Sequence, residues 1–129
     1  MKTERAISII FWASGIYDGV LGLIFLLAPA AMYAQFGVTP PNHWGYVQFG
    51  AALLLIFGIM FIQVALKPAP NRNLIPYGVL LKMAYAGTVF GYWFTRGLPD
   101  MWKPFAVTDA VFAVLFIWSW MKLGKGEAA

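Results

Sequence analysis

The sequence predicts an all-α integral membrane protein, an up-down bundle of four membrane-spanning helices, and three observations carry that prediction. Of its 129 residues 61% are hydrophobic and only 11% charged, and mean hydropathy is +0.72, so too little polar surface exists to clothe a soluble domain. Apolar runs of the roughly 20 residues needed to cross about 30 Å of hydrocarbon occur at about 6–33, 45–66, 74–95 and 102–121. The breaks between them, "FGVTPPNHWG", "KPAPNRN" and "RGLPDMWKP", concentrate Pro, Gly and Asn as turns do. Short connections make neighbouring spans antiparallel, and the chain reads as one four-span domain over residues 1–129.

The first run follows Lys2 and Arg5 and is too long for the apolar part of a signal peptide; Asp18 also interrupts it. Pro29 lies near its far end, which places an interfacial turn at "APAAMYAQ". The second run opens with Gln48 on a face shared with Ala51, Ala52 and Leu55. The third carries Lys82 inside "LLKMAYAG", and the fourth carries Asp109. Lys2, Arg5, Lys67, Arg72, Lys122 and Lys125 fall at one end of the spans, Arg96 and Lys103 at the other. That bias predicts a bacterial inner-membrane protein with both termini in the cytoplasm.

Asp18, Lys82 and Asp109 are the ionisable residues within the spans, and each would be costly facing lipid. Counting about 1.5 Å per helical residue through a core of about 30 Å sets Lys82 about 12 Å, Asp18 about 16 Å and Asp109 about 20 Å above the inner boundary. A lysine arm reaches about one helical turn, so Lys82 is expected to meet Asp18 and, with modest tilt, Asp109. Three readings follow: a polar ligand site, an ion pair that fixes helix register, or a lysine that snorkels to the headgroups. Gln48 is placed to complete the site from above, Tyr85 lies one turn from Lys82, and Tyr17 and Tyr92 offer further hydroxyls. Small residues surround the charges, with Gly15, Gly19 and Gly22 near Asp18 and Ala106 and Ala113 near Asp109. "G-x-x-x-G" occurs at 15–19 and again at 87–91, a spacing that marks close helix contact.

Several chemistries are excluded. No cysteine is present, which removes disulfides, thiol catalysis and iron–sulfur ligation. The sequence holds no P-loop, no HExxH, no Ser-His-Asp arrangement and a single histidine, His43, in a loop. Neither a cofactor nor a metal is implied. The net charge of +4 comes from residues at span ends, the pattern of membrane anchoring rather than of a nucleic-acid stripe.

The run from "PPNHWGYVQFGAALLLIFG" through "LKPAPNRNLIPYGVLLK" to "TDAVFAVLFIW" resembles the DoxX-like group of small bacterial four-span proteins. The likeness covers about residues 10–120: the Pro-rich outer loop, the Gly-Ala start of span two, the inner turn ending in Asn71-Arg72, the span-three lysine and "D-x-x-F" in span four. Lys82, Asp109 and Phe112 fall on positions of that pattern. The resemblance implies a four-helix fold, and in some members an accessory place beside quinone-linked redox systems. Small multidrug transporters also have four spans and a carboxylate in span one, but the one-sided basic bias and the span-three lysine depart from their design.

The expected function is therefore an accessory or ligand-binding membrane protein, with Lys82, Asp109, Asp18, Gln48 and Tyr85 facing the head of a lipid-like or quinone-like molecule. The alternatives are a structural subunit of a larger membrane complex and a proton-coupled small-molecule transporter. Catalysis is not implied, and self-association is open. The bilayer itself is the first expected partner.

Overall fold

Pro29 decides where the first long helix stops. It has no N–H to donate and disfavours helical backbone at the residue before it, and Ala28 accordingly leaves the helix at φ −139°, ψ 51°. The computed structural model describes residues 2–128. In it α1 runs Lys2–Leu27, and a separate two-turn helix, α2, runs Pro29–Gln35 with the proline in its first turn. The apolar run read as one span over 6–33 is thus a span plus a lateral helix.

The second run is α3, Gly45–Leu66, with the bounds expected. The third and fourth are α4, Ile75–Trp93, and α5, Lys103–Ala128, each entered through a 3-10 turn, Arg72–Leu74 and Asp100–Trp102. Four helices, taken with those turns, are long and apolar enough to cross a membrane, and no strand occurs among the described residues. The chain folds as an all-α bundle of membrane type.

Local chemistry closes each connection. Gly37 at φ 65° and Gly97 at φ 79° take the left-handed conformation that ends α2 and α4. The His43 ring nitrogen Nδ1 accepts the Gly45 N–H at 2.9 Å, so the loop histidine helps to start α3. Asn71 donates to the carbonyls of Gln63 and Lys67, both at 3.0 Å, satisfying the open end of α3. Arg72 Nε donates to the Trp120 carbonyl at 2.9 Å, and its guanidinium lies 4.2 Å from that indole ring centre, tying the α3–α4 turn to α5.

Packing divides the bundle into two tight pairs, α1 with α3 and α4 with α5, joined mainly along α1 and α5. In the first pair the backbones nearly touch. A Cβ added at Gly58 would lie 2.8 Å from the Gly19 nitrogen, and one at Gly22 would lie 2.8 Å from the Ala51 carbonyl oxygen. Of the 15–19 pair, Gly15 serves the close approach its spacing predicts, since a Cβ there would lie 2.7 Å from Ile62 Cγ1, while Gly19 contributes only its backbone and its own Cβ would meet nothing within 4 Å. The 87–91 pair does not, since Cβ atoms at Gly87 and Gly91 would meet nothing within 4 Å.

Two apolar clusters fill the ends. Toward the chain termini Phe11 stacks on Phe116 with ring centres 4.3 Å apart, Phe61 lies 5.0 Å from Phe116, and Ile7, Val64 and Ile75 complete a solid plug. At the loop end Tyr33 of α2 lies between Trp44 and Trp102, with ring centres at 5.0 and 5.7 Å, over Phe25 and Met101. The lateral helix thus roofs the bundle. Between plug and roof α3 and α4 touch only sparsely, and the space left there holds the polar residues.

Candidate functional site

Three helices bring one charge each to the middle of the bundle. Lys82 of α4 donates to Asp18 Oδ2 of α1 at 2.6 Å and to Asp109 Oδ1 of α5 at 3.1 Å. The lysine side chain is fully buried and Asp18 is 1% exposed. The predicted cluster is therefore assembled, and the snorkelling alternative is overturned: the ammonium turns inward because two carboxylates wait there. Neutralising a buried charge in this way is what makes it tolerable in low dielectric.

The rest of the ammonium faces rings rather than water. Its nitrogen lies 5.2 Å from the Phe112 ring centre, 5.5 Å from Phe61 and 5.7 Å from Tyr17, distances at which a cation is attracted to an aromatic face. The small-residue pattern that allows this is visible at Gly78, whose missing side chain makes room for Phe61 and Phe116. Phe112 was legible from its place in the resemblance; Phe61 carried no signal beyond an apolar position.

Against the triad lies a cavity of about 400 Å³. Asp18 and Asp109 stand at one end of it, Tyr33 and Trp102 at the other, and Leu54, Leu81, Tyr85 and Phe105 form apolar walls. Tyr46, Gly50 and Leu53 of α3 also line it and are exposed on the outer surface of the bundle. The hollow thus opens sideways between α3 and α4. Lys82 does not line it, so the lysine holds the carboxylates from behind and the carboxylates meet the space.

Tyr85 belongs to this wall. Its hydroxyl donates to the Trp102 carbonyl at 3.0 Å, fixing the start of α5 against α4. Gln48 is used elsewhere: its amide donates to the Leu26 carbonyl at 3.1 Å, one of the acceptors orphaned where Pro29 breaks the helix, and it does not line the cavity. Of the two further tyrosines, Tyr17 packs beside the triad and Tyr92 is exposed. Tyr33 was missed as a site residue because the stretch around it read only as an interfacial turn closing the first span. Only the proline at 29 signalled that the chain would turn back over the bundle.

Buried polar atoms remain poorly partnered here. Asp18 Oδ1, the Ser14 hydroxyl and the Tyr17 hydroxyl make no hydrogen bond of close geometry, an uncommon condition for buried groups, although Ser14 interacts with the Asp18 carboxylate and Thr108 with the Tyr17 hydroxyl. No group of three or more metal-ligating side chains occurs among the described residues. A second hollow, about 470 Å³ between α1 and α5, is an open apolar groove of Ile9, Ile10, Val114, Leu115 and Trp118 with no charged group to do chemistry. No family model, curated protein or solved structure matches the chain.

Proposed function

We propose that this protein is a multi-pass protein of the bacterial inner membrane, of DoxX-like type, that holds a small and largely apolar molecule in the cavity between its two helix pairs. The observation that carries the reading is that cavity, about 400 Å³, within the size range of small-molecule sites and ending on two buried carboxylates. A bundle whose charges served only to fix register would have no need of the space. The sideways opening between α3 and α4 supports a ligand that arrives from the lipid phase, as a lipid-like or quinone-like molecule would.

The ligand is tested by extracting the protein in mild detergent and identifying copurifying small molecules by mass spectrometry. Gly50→Phe places a ring at the mouth of the cavity, where an added Cβ meets nothing within 4 Å. The variant is expected to fold normally and to lose the copurifying molecule. Equal retention by parent and variant would place that molecule on the outer surface and remove this reading.

Orientation is part of the same proposal. Six basic residues lie near the end that carries the termini and two near the loop end, which favours cytoplasmic termini. Reporter fusions at residues 40, 70 and 100 are expected to read outside, inside and outside. Any other order would invert or break the proposed topology.

The reading as a subunit of a larger complex draws on a different observation. Ala84, Gly87, Thr88 and Gly91 form an exposed small-residue face on α4 that no helix of this chain covers, and such faces suit helix–helix contact in lipid. The transporter reading has less support, because the plug of Phe11, Phe61 and Phe116 stands between the charges and the terminal end.

A further inference from the structure

The triad is unbalanced, and its imbalance faces the cavity. Two carboxylates share one ammonium, so with both ionised the cluster carries one negative charge more than its lysine offsets. The lysine spends its bonds on Asp18 Oδ2 and Asp109 Oδ1. Asp18 is buried and its Oδ1 takes no hydrogen bond of close geometry, the Ser14 hydroxyl one turn back being the one side chain besides Lys82 that favours its ionised carboxylate. Both aspartates line the cavity, no arginine, lysine or histidine does, and the Tyr85 hydroxyl is already committed to a carbonyl.

We infer that the cavity selects molecules whose polar head donates hydrogen bonds or carries positive charge, and rejects anionic heads. This rests on the ligand-binding reading above and specifies its chemistry. In a low-dielectric site a carboxylate oxygen without a donor is a standing penalty, and a hydroxyl or ammonium head placed beside Asp18 and Asp109 removes it. A carboxylate or phosphate head would instead bring like charge against like charge, far from water, where such a pairing is strongly unfavourable. The apolar body of the ligand lies along Leu54, Leu81 and Phe105, and its far end reaches the Tyr33–Trp102 roof. Lys82 acts as a positioning residue: it aligns both acceptors from behind and leaves their remaining oxygen valences to the cavity.

Three probes with one apolar body separate the head from the chain: decylamine, decanol and decanoate. Each is added at equal concentration to the purified protein in maltoside detergent at neutral pH, and bound probe is read by native mass spectrometry. Gly50→Phe supplies the background of probe held by the detergent or the outer surface. Decylamine is expected to exceed decanoate at least tenfold in signal above that background, with decanol between them. Asp18→Asn removes the excess charge and is expected to lower decylamine binding at least tenfold while leaving decanol within a few fold; Asp109→Asn is the parallel variant if the first does not fold, as judged by its melting transition. Decanoate retained as well as decylamine, and lost in Gly50→Phe, would overturn the head-group inference while leaving the ligand cavity standing. None of the three probes exceeding the Gly50→Phe background would overturn both.

Discussion

Lys82→Met is expected to destabilise the protein by about 3–5 kcal/mol, the range for stranding a buried charge by removing its partner. Among the described residues the ammonium is the only cation within hydrogen-bond reach of Asp18 and Asp109, at 2.6 and 3.1 Å. Its removal leaves two carboxylates facing each other in a site walled by Phe61 and Phe112. Asp109→Leu and Asp18→Leu differ in kind, because each leaves a one-to-one pair with Lys82. Each is expected to cost clearly less than the lysine change. The triple variant Lys82→Met, Asp18→Leu, Asp109→Leu removes every charge together, and buried ion clusters replaced by apolar residues are often tolerated, so it is expected to recover most of the loss. Thermal unfolding in detergent reads all four. A lysine variant that melts with the parent, or a triple variant no better than the single, would mean the triad does not stabilise the bundle in this way.

Much of this arrangement is legible in the sequence. The number of long apolar helices and their approximate positions followed from apolar run length, though the first run is split into α1 and α2, and α3 fell on the bounds expected because turn residues flank it on both sides. The meeting of Lys82 with Asp18 and Asp109 followed from depth, since three charges at similar heights in hydrocarbon have few partners other than one another. Depth could not tell which face of the triad would meet open space. That depends on how α3 and α4 separate, a tertiary outcome to which local pattern is blind. Gln48 illustrates the limit: its place at the outer end of the second span set it above the charges, where it was expected to complete the site, but the helix break at Ala28 created a carbonyl acceptor for it on Leu26. The roof by Tyr33 was hidden for the same reason, because a proline reports that a helix ends and not where the chain goes next.

Glycine spacing gave one correct and one incomplete signal, and the contrast yields the second large effect. Gly58→Leu is expected to destabilise the bundle by at least about 3 kcal/mol, the upper end for overpacking. Its Cβ would lie 2.8 Å from the Gly19 nitrogen and 3.0 Å from the Gly15 oxygen. Those are backbone atoms of α1, so no rotamer change can move them aside and the helices themselves would have to separate. Separation would also pull Asp18 from Lys82, which couples the seam to the charges. Gly87→Leu has the same chemistry without the neighbour: nothing lies within 4 Å of its added Cβ, and its effect is expected to stay within about 0.5 kcal/mol, as for surface positions. Melting of both variants in detergent, beside the parent, measures the contrast. Parental stability in Gly58→Leu would refute the close α1–α3 seam. Comparable damage from Gly87→Leu would mean that the bare face of α4 is packed against a second molecule, and would move the balance toward the subunit reading.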